Sequence, residues 1–144
     1  MAKIFHLKKR PLGKPLPVLV PSADAARQIG EIPVEAEALI AAQWPGALTI
    51  VVARTETSRP WQLGGDGETI GLRVPARPFA LELMAITGPL AATSANISGE
   101  GTPETVESIE ELFGEDVRLY VDGGELSGSP SDVISFVGDI RKLR

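Results

Sequence analysis

Leu48-Thr49-Ile50-Val51-Val52 is the clearest strand in this sequence, because it is apolar and largely β-branched. Such a run is typical of a strand that is buried on both faces. A second strand is predicted over residues 69–74. The polar stretch between them, residues 54–68, predicts a mobile loop or a hairpin connection. These two strands place a sheet at the centre of the fold.

Helices are predicted around this sheet from their capping residues. Ser22 is a good N-cap for a helix that stops at Gly30, and Thr102, followed by Pro103, is expected to begin another helix. The predicted helices cover residues 3–9, 22–29, 34–44, 78–86 and 102–113. Spacing assigns the apolar face of the fourth helix to Phe79, Leu83 and Ile86.

Further short strands are predicted over residues 16–20, 90–93, 117–121, 132–136 and 139–143. Pro17 favours an edge position for the first of them, since proline lacks a ladder donor. The alternation of strands and helices over most of the chain predicts an α/β fold, with helices packed on a mixed sheet. At 144 residues the chain has a common domain size, and we expect a single domain over residues 1–144.

Charge is distributed unevenly along the chain. Five of the fourteen Lys and Arg residues fall in the first fourteen positions, and no acidic residue precedes Asp24. The opening segment therefore carries +5, while the remainder has nine basic and nineteen acidic residues, a formal charge of −10. A segregated basic segment in an acidic chain is typical of an anion-binding region. Pro11 and Pro15 stiffen the backbone from which these side chains project.

Composition argues against several kinds of site. The sequence has no cysteine and one histidine, His6, which excludes disulfides and thiolate metal sites and argues against a histidine-rich metal site. His6 lies on a predicted helix between apolar neighbours, and we interpret it as structural. No apolar run approaches the ~20 residues of a membrane span, and no signal-peptide pattern follows the basic start. We expect a cytoplasmic protein with no membrane partner and no metal site.

Two groups of residues are the main candidates for chemistry. Lys8, Arg10 and Lys14 suit a polyphosphate, although a solvated basic turn explains them equally well. Thr93-Ser94-Ala95-Asn96-Ile97-Ser98-Gly99 follows an apolar strand, where ligands bind in open α/β sheets. Ordinary turn chemistry is the alternative for this second group.

Other segments give weaker indications. Arg73 ends an apolar strand and needs an anionic partner, either a ligand or a structural acid. Gly128-Ser129-Pro130-Ser131-Asp132-Val133 offers hydroxyl and backbone N–H groups. Gly64-Gly65-Asp66-Gly67 is not a Walker loop, because the Lys and Ser/Thr are missing, and we interpret it as flexible. The few, scattered aromatic residues argue against a base-stacking platform.

Taken together and in this order, these segments resemble the YrdC-like family, whose best-known members are threonylcarbamoyl-AMP synthases. The resemblance covers essentially the whole chain, and the Lys-x-Arg and Ser-x-Asn pair is its hallmark. The matching stretches are Lys8-Lys9-Arg10-Pro11, Lys14-Pro15-Leu16, Trp44-Pro45-Gly46-Ala47-Leu48-Thr49, Gly71-Leu72-Arg73-Val74-Pro75, Gly88-Pro89-Leu90-Ala91-Ala92-Thr93-Ser94-Ala95-Asn96-Ile97-Ser98-Gly99, Asp122-Gly123-Gly124 and Ser131-Asp132-Val133.

The resemblance implies a twisted mixed sheet with flanking helices and a concave, basic groove. It implies a reaction that joins L-threonine, bicarbonate and ATP into threonylcarbamoyl-AMP and pyrophosphate, for the threonylcarbamoyladenosine modification of tRNA. This reaction requires no protein nucleophile, because positioning of the substrates and neutralisation of their charge can drive the chemistry. Magnesium is implied as an ion held mainly by the ATP phosphates. By family position, ATP would be bound by Lys8, Arg10, Lys14, Thr69, Asn96 and Arg144, and threonine by Arg73, Ser94 and Ser131.

The sequence also departs from the family pattern. Members normally carry a strand, most of a helix and a Pro-Thr-Asp-Thr-Val-Tyr-Gly motif before the position of Lys8, so the resemblance is to an N-terminally shortened member. Asp132 and Glu104 stand where hydroxyl residues are expected. The alternatives are a non-catalytic module that binds a nucleotide or double-stranded RNA, and a carbamoyl-adenylate-handling domain of larger proteins. Oligomeric state is open, and an exposed sheet edge would favour a homodimer.

Overall fold

The computed structural model describes residues 2–125 and 130–144 of the chain. Two compact units are defined by Cα proximity: unit 1 comprises Met1–Lys14 and Thr93–Ser129, and unit 2 comprises Pro15–Ala92 and Pro130–Arg144. The single domain expected over the whole chain stays a prediction. Of the loop predicted over 127–131, only Pro130 and Ser131 are among the described residues. Within the described ranges, no helix has the length and apolar content that crossing a bilayer requires.

Among the described residues, unit 2 holds a mixed sheet of seven strands: β1 (Val18–Leu19), β2 (Gly30–Glu31), β3 (Leu48–Arg54), β4 (Thr69–Arg73), β5 (Leu90–Ala91), β6 (Asp132–Ser135) and β7 (Arg141–Lys142). Their order is β5-β1-β4-β3-β6-β7, with β2 also paired to β3. β3 is central, since it pairs antiparallel with β4 and β2 and parallel with β6. All of these strands except β2 were predicted from the sequence and are confirmed. β2 was not predicted.

The core of unit 2 lies on one face of β3 and its neighbours. Leu48, Ile50 and Val52 are almost completely buried on this face, whereas Val51 and Ala53 on the other face are only half-buried. The expected burial of the strand on both faces is therefore complete on one face only. Ile50 pairs with Leu72 of β4 and with Ile134 of β6, so the centre of the sheet is apolar on both sides of β3. This strand therefore fixes the register of the sheet that carries part of the candidate site.

The prediction that Pro17 marks an edge strand is wrong. β1 pairs with β4 on one side and with β5 on the other, so it lies inside the sheet. Pro17 precedes the paired residues and contributes only its carbonyl oxygen, which accepts a hydrogen bond from the Ala92 amide at 3.0 Å. Proline lacks an N–H group but keeps its carbonyl oxygen, so a proline that only accepts a hydrogen bond is compatible with a strand inside the sheet.

The helices of unit 2 are α2 (Ala23–Ile29), α3 (Val34–Gln43) and α4 (Pro78–Thr87). The predicted cap of α2 is confirmed, because Ser22 Oγ accepts from the Ala25 amide at 3.1 Å. Gly30 ends this helix in an extended conformation with φ −138°. A Cβ at Gly30 would lie 2.6 Å from Leu72 Cδ1 and 2.7 Å from Val52 Cγ2. Glycine is therefore required here by close packing against the sheet.

The predicted apolar face of α4 is wrong. Phe79, Leu83 and Ile86 are 59, 38 and 86 % exposed, whereas Met84 is buried. The helix is apolar on nearly every side, so helical spacing could not decide which row of side chains meets the core.

The connection between β3 and β4 is packed, which corrects the expectation of a mobile loop. Ser58 and Leu63 are almost fully buried within it. The buried Arg54 guanidinium donates from Nε to the Thr69 carbonyl at 2.9 Å and from Nη1 to the Trp61 carbonyl at 2.8 Å. A side chain at the end of β3 thus ties the connection to the start of β4, and the hairpin alternative is the correct one.

Unit 1 contains α1 (Ala2–Leu7), α5 (Val106–Phe113) and a short 3-10 turn at Gly114–Asp116. The Thr102 cap is a wrong prediction: Thr105 caps α5, since its Oγ1 accepts from the Ser108 amide at 3.3 Å. Phe113, the last residue of α5, is buried.

The strand predicted over residues 117–121 is also wrong. The described part of this segment forms no ladder, and Leu119 and Val121 are exposed. Strand propensity takes effect only where a partner strand is paired, and no paired strand lies within the described residues of unit 1.

Candidate functional site

The first candidate cluster lies in unit 1 and begins where α1 ends. The Lys9 amide donates to the His6 carbonyl at 3.0 Å, and the Arg10 amide donates to the Phe5 carbonyl at 2.8 Å. This pair of bonds is the Schellman ending of a helix, which usually places glycine at the left-handed position. Here Lys9 takes that position, with φ +51°. Lys8 and Arg10 therefore flank the left-handed residue of this turn.

Lys8 is the centre of this basic cluster, which comprises Lys8, Arg10, Lys14, Ser94 and Asn96. Its side chain is only 3 % exposed. Lys8 Nζ donates to the Ser94 carbonyl at 2.5 Å, to Asn96 Oδ1 at 3.0 Å and to the Asn96 carbonyl. These acceptors use all three ammonium protons. Because all three are neutral, they leave the positive charge of Lys8 unneutralised.

The Ser-x-Asn turn is held in one arrangement by its own hydrogen bonds. Ser94 Oγ donates to Asn96 Oδ1 at 2.6 Å, and Asn96 Nδ2 donates to the Glu100 carbonyl at 2.7 Å. Asn96 is buried while Ser94 is exposed. A hydroxyl that donates inward keeps its lone pairs for an incoming donor, so Ser94 can accept from a ligand.

Like charges are held close together in the basic cluster. Burial, and then the neighbouring Arg10 charge, lower the pKa of Lys8 below its usual range. Burial also lowers the pKa of Arg10, whose Nε donates to the Lys14 carbonyl at 2.9 Å. Such an arrangement costs free energy that a bound anion would recover. The cluster is therefore suited to an anionic ligand.

The second candidate cluster lies in unit 2 and is built around Arg73, the last residue of β4. Arg73 Nε donates to the Gly46 carbonyl at 2.8 Å, and the Gly46 amide donates to the Val74 carbonyl at 2.8 Å. A Cβ at Gly46 would collide with the Gln43 carbonyl oxygen. Glycine is thus required in the turn that orients the Arg73 guanidinium.

Two hydroxyl groups and a second guanidinium complete this arginine cluster, which comprises Arg73, Thr49, Ser131 and Arg144. Thr49 Oγ1 and Ser131 Oγ are 3.0 Å apart, and both residues are buried. The parallel pairing of β3 with β6 brings them together. Arg144 Nε donates to the Ser131 carbonyl at 3.1 Å, and Nη2 lies 3.4 Å from Ser131 Oγ.

The arginine cluster has no acidic partner among the described residues. The ion pairs in the described ranges involve Arg27, Arg59 and Lys142, and neither Arg73 nor Arg144 takes part in one. Burial, and then the charge of Arg144, lower the pKa of Arg73. Of the two partners left open by the sequence, the structural acid is not found there. The positive charge of the arginine cluster is therefore not balanced by an acidic side chain among the described residues, and an anionic ligand would balance it.

The structure brings most of the predicted site residues together within one unit or the other. Within unit 2, Thr69 is apart from the arginine cluster, because it is the first residue of β4 and lies at the opposite end of that strand from Arg73. Sequence reasoning did not select Thr49 or Asp66, whose Oδ1 lies 3.4 Å from Thr69 Oγ1. The polar Thr49 within a buried strand was the signal for the first. No group of three His, Asp or Glu side chains suited to a metal ion occurs in residues 2–125 and 130–144.

A family model matches the chain over residues 1–144, namely Sua5/YciO/YrdC, described as telomere recombination. This chain belongs to the Sua5/YciO/YrdC family. The match also confirms the YrdC-like resemblance of the sequence motifs.

Relatives of this chain carry more specific names. It is 38 % identical over 125 residues to a threonylcarbamoyl-AMP synthase of Pyrococcus abyssi, which is 85 % of this chain and 36 % of the relative. It is 33 % identical over 144 residues to the threonylcarbamoyl-AMP synthase of Bacillus subtilis, covering 98 % of this chain and 42 % of the relative. The chain thus spans less than half the length of these two relatives.

A solved structure confirms the predicted fold class. The crystal structure of P. abyssi Sua5 complexed with L-threonine superposes with a TM-score of 0.87 at 34 % identity, over 99 % of this chain and 43 % of that one. The mixed sheet with its helices is therefore a YrdC-like fold.

Proposed function

We propose that this chain synthesises threonylcarbamoyl-AMP from L-threonine, bicarbonate and ATP, with release of pyrophosphate. The observation that carries the proposal is the hydrogen-bonded unit of Lys8, Ser94 and Asn96, which joins the Lys-x-Arg and Ser-x-Asn motifs in a chain whose relatives bear that enzyme's name. The chain would then act as an ATP-dependent nucleotidyltransferase in the cytoplasm, and its product would feed tRNA modification.

ATP is assigned to the basic cluster by charge. Arg10 and Lys14 would bind phosphate oxygens, since guanidinium and ammonium groups are the usual partners of phosphates. Lys8 would contribute its charge and hold the Ser-x-Asn turn in place, because its three protons are already used. Asn96, Thr69 and Arg144 are the remaining ATP contacts of the proposal. Magnesium would enter with the nucleotide, held mainly by ATP phosphates.

Threonine is assigned to the arginine cluster and to Ser94. The Arg73 guanidinium, which has no acidic partner among the described residues, suits the substrate carboxylate. Ser131 would orient the rest of the amino acid through its hydroxyl group. The TM-score of 0.87 to a Sua5 structure that holds L-threonine supports this choice of substrate.

The chemistry requires orientation and charge neutralisation more than a reactive side chain. The threonine amine attacks the carbon of bicarbonate, and loss of water leaves a carbamate. A carbamate oxygen then attacks the α-phosphorus of ATP, the bond to the β-phosphate bridging oxygen breaks, and pyrophosphate leaves. Cations that face the phosphates stabilise the charge that develops on the leaving group. Holding the reactants together supplies much of the remaining acceleration.

Pyrophosphate release tests the proposal. The chain is incubated with MgATP, L-threonine and bicarbonate, and each substrate is omitted in turn. We expect release only in the complete mixture, and a large loss of threonine-dependent release in Arg73→Ala. Arg77→Ala, which removes an exposed arginine at the start of α4, is the matched control and should retain activity. Binding of ATP without any threonine-dependent release would contradict the enzyme and favour the non-catalytic module.

A further inference from the structure

Asp66 accepts three hydrogen bonds in the connection between β3 and β4. Its Oδ1 accepts from the Glu68 amide at 2.9 Å, from the Thr69 amide at 3.3 Å and from Thr69 Oγ1 at 3.4 Å. The segment that the sequence analysis interpreted as flexible therefore has a defined structure. It places a carboxylate directly behind the Thr69 hydroxyl, which is one of the proposed ATP contacts.

Glycines on either side of Asp66 build this turn. Gly65 and Gly67 have φ values of +73° and +85°, which residues other than glycine rarely adopt. At Gly65, a Cβ would also lie 3.1 Å from Pro15 Cβ. The positive φ values of both glycines and the close approach of Gly65 to Pro15 therefore define the shape of this turn. The shape of the turn in its place determines the position of the Asp66 carboxylate.

Asp66 sets the direction of the hydrogen bond at Thr69. An ionised carboxylate only accepts, so the Thr69 hydroxyl proton points to Asp66. The bond from the Glu68 amide, followed by those from Thr69, holds the pKa of Asp66 below its usual range, and the group is ionised at neutral pH. The Thr69 oxygen is then left with lone pairs alone for a ligand.

Charge decides which part of ATP this oxygen can meet. A phosphate oxygen brings negative charge and further lone pairs, and would be repelled both by the Thr69 oxygen and by the carboxylate behind it. The nucleoside part of ATP carries N–H and O–H donors, which match the lone pairs and are favoured by a nearby negative charge.

We propose that Asp66 is a positioning residue that turns the Thr69 hydroxyl into an acceptor for an N–H or O–H donor of the nucleoside part of ATP. The inference rests on the proposed function, since it takes ATP as the ligand. It assigns to Thr69 a role in recognising the nucleoside and excludes it from the phosphate contacts.

Calorimetric titrations with two probes, ATP and inorganic tripolyphosphate, test this assignment. Thr69→Val removes the hydroxyl and Asp66→Ala removes its acceptor; each should weaken ATP binding about three- to tenfold, the range of one hydrogen bond, and leave tripolyphosphate binding unchanged. Thr69→Ser and Asp66→Asn keep a hydroxyl and an acceptor oxygen, and should restore most of the ATP affinity. Glu68→Gln removes an exposed carboxylate two residues away and should bind both probes as the wild type does.

The two probes separate the outcomes. Equal weakening of ATP and tripolyphosphate by Thr69→Val would make Thr69 a phosphate contact and overturn the inference, as would ATP binding that no variant changes. Unchanged tripolyphosphate binding also shows that a variant is folded, so a loss confined to ATP cannot come from unfolding. If the wild-type chain binds ATP no more tightly than tripolyphosphate, the nucleoside adds no affinity and the inference is likewise overturned. A wild-type chain that binds neither probe overturns the proposed function itself.

Discussion

Lys8 and Asn96 are 88 positions apart in the sequence, yet Lys8 Nζ donates to Asn96 Oδ1 at 3.0 Å. The same ammonium group also donates to the carbonyl of Ser94. One buried cation thus organises the turn that carries the Ser-x-Asn motif, and the two hallmark motifs depend on each other for their geometry.

Replacing Lys8 by methionine tests this dependence. Lys8→Met removes the ammonium donor from the Ser94 and Asn96 carbonyl oxygens and from Asn96 Oδ1, which keeps only the Ser94 hydroxyl as a donor. We expect the free energy of unfolding to fall by about 1.5–3 kcal/mol, the range for hydrogen bonds to a charged group. Urea denaturation measures the loss. Lys3→Met, at an exposed position of α1, is the control and should stay close to the wild type. Equal stability of the two variants would contradict a structural role for the Lys8 ammonium.

Asp66 predicts a pH dependence of stability. Its pKa in the folded protein lies below the usual value of 3.8, so its ionised form stabilises the fold above that pH, and the contribution is lost as the pH falls through the lowered pKa. Thermal unfolding of the wild type and of Asp66→Asn, from about pH 6 to about pH 3, measures the difference. We expect the gap between them to narrow on acidification. A gap that stays constant, or that widens, would show that Asp66 is not ionised more readily in the folded state.

The close packing around Gly30 predicts that a larger residue there destabilises the fold by steric overlap, an effect that the role of Gly30 as a helix cap does not predict. Gly30→Ala places a Cβ 2.6 Å from Leu72 Cδ1 and 2.7 Å from Val52 Cγ2, and overpacking of this kind costs about 1–3 kcal/mol. Gly101→Ala is the control, because a Cβ there meets no atom within 4 Å. Both variants are compared by urea denaturation. A Gly30→Ala protein as stable as Gly101→Ala would contradict the close packing of Gly30 against the Leu72 and Val52 side chains.

α4 offers a paired test of which side chain anchors it. Met84→Ala should lower the free energy of unfolding by about 2–5 kcal/mol, as buried large-to-small substitutions do. Ile86→Ala, at a position that is 86 % exposed, should change it by less than about 0.5 kcal/mol. The reverse ranking in chemical denaturation would restore the face that helical spacing predicted.

Local chemistry explains which parts of the fold could be predicted from sequence. The β3 strand is a continuous apolar run, and Ser22 is followed by a helix that ends at a glycine; both signals lie within a few residues of the structure they produce. The expectation that Arg73 has an anionic partner also rests on a local signal, a cation at the end of an apolar strand, and it stays a prediction.

The wrong predictions depend on partners that sequence spacing does not show. Thr102 and Thr105 are equally good capping residues, and only the path of the chain selects Thr105. Residues 117–121 have strand propensity, but no partner strand pairs with them among the described residues. The link from Asp66 to Thr69 needs two left-handed glycines in a turn that looks merely flexible in sequence.

Calorimetric titration of ATP into the wild type and Arg10→Ala tests most directly the central claim, that the segregated basic segment is a triphosphate site. Arg10→Ala should weaken ATP binding by about 1.5–3 kcal/mol, the range for hydrogen bonds to charged groups. Lys3→Ala removes one positive charge from the same basic segment, outside the basic cluster, and should bind ATP like the wild type. Equal ATP affinity of all three proteins would contradict the account.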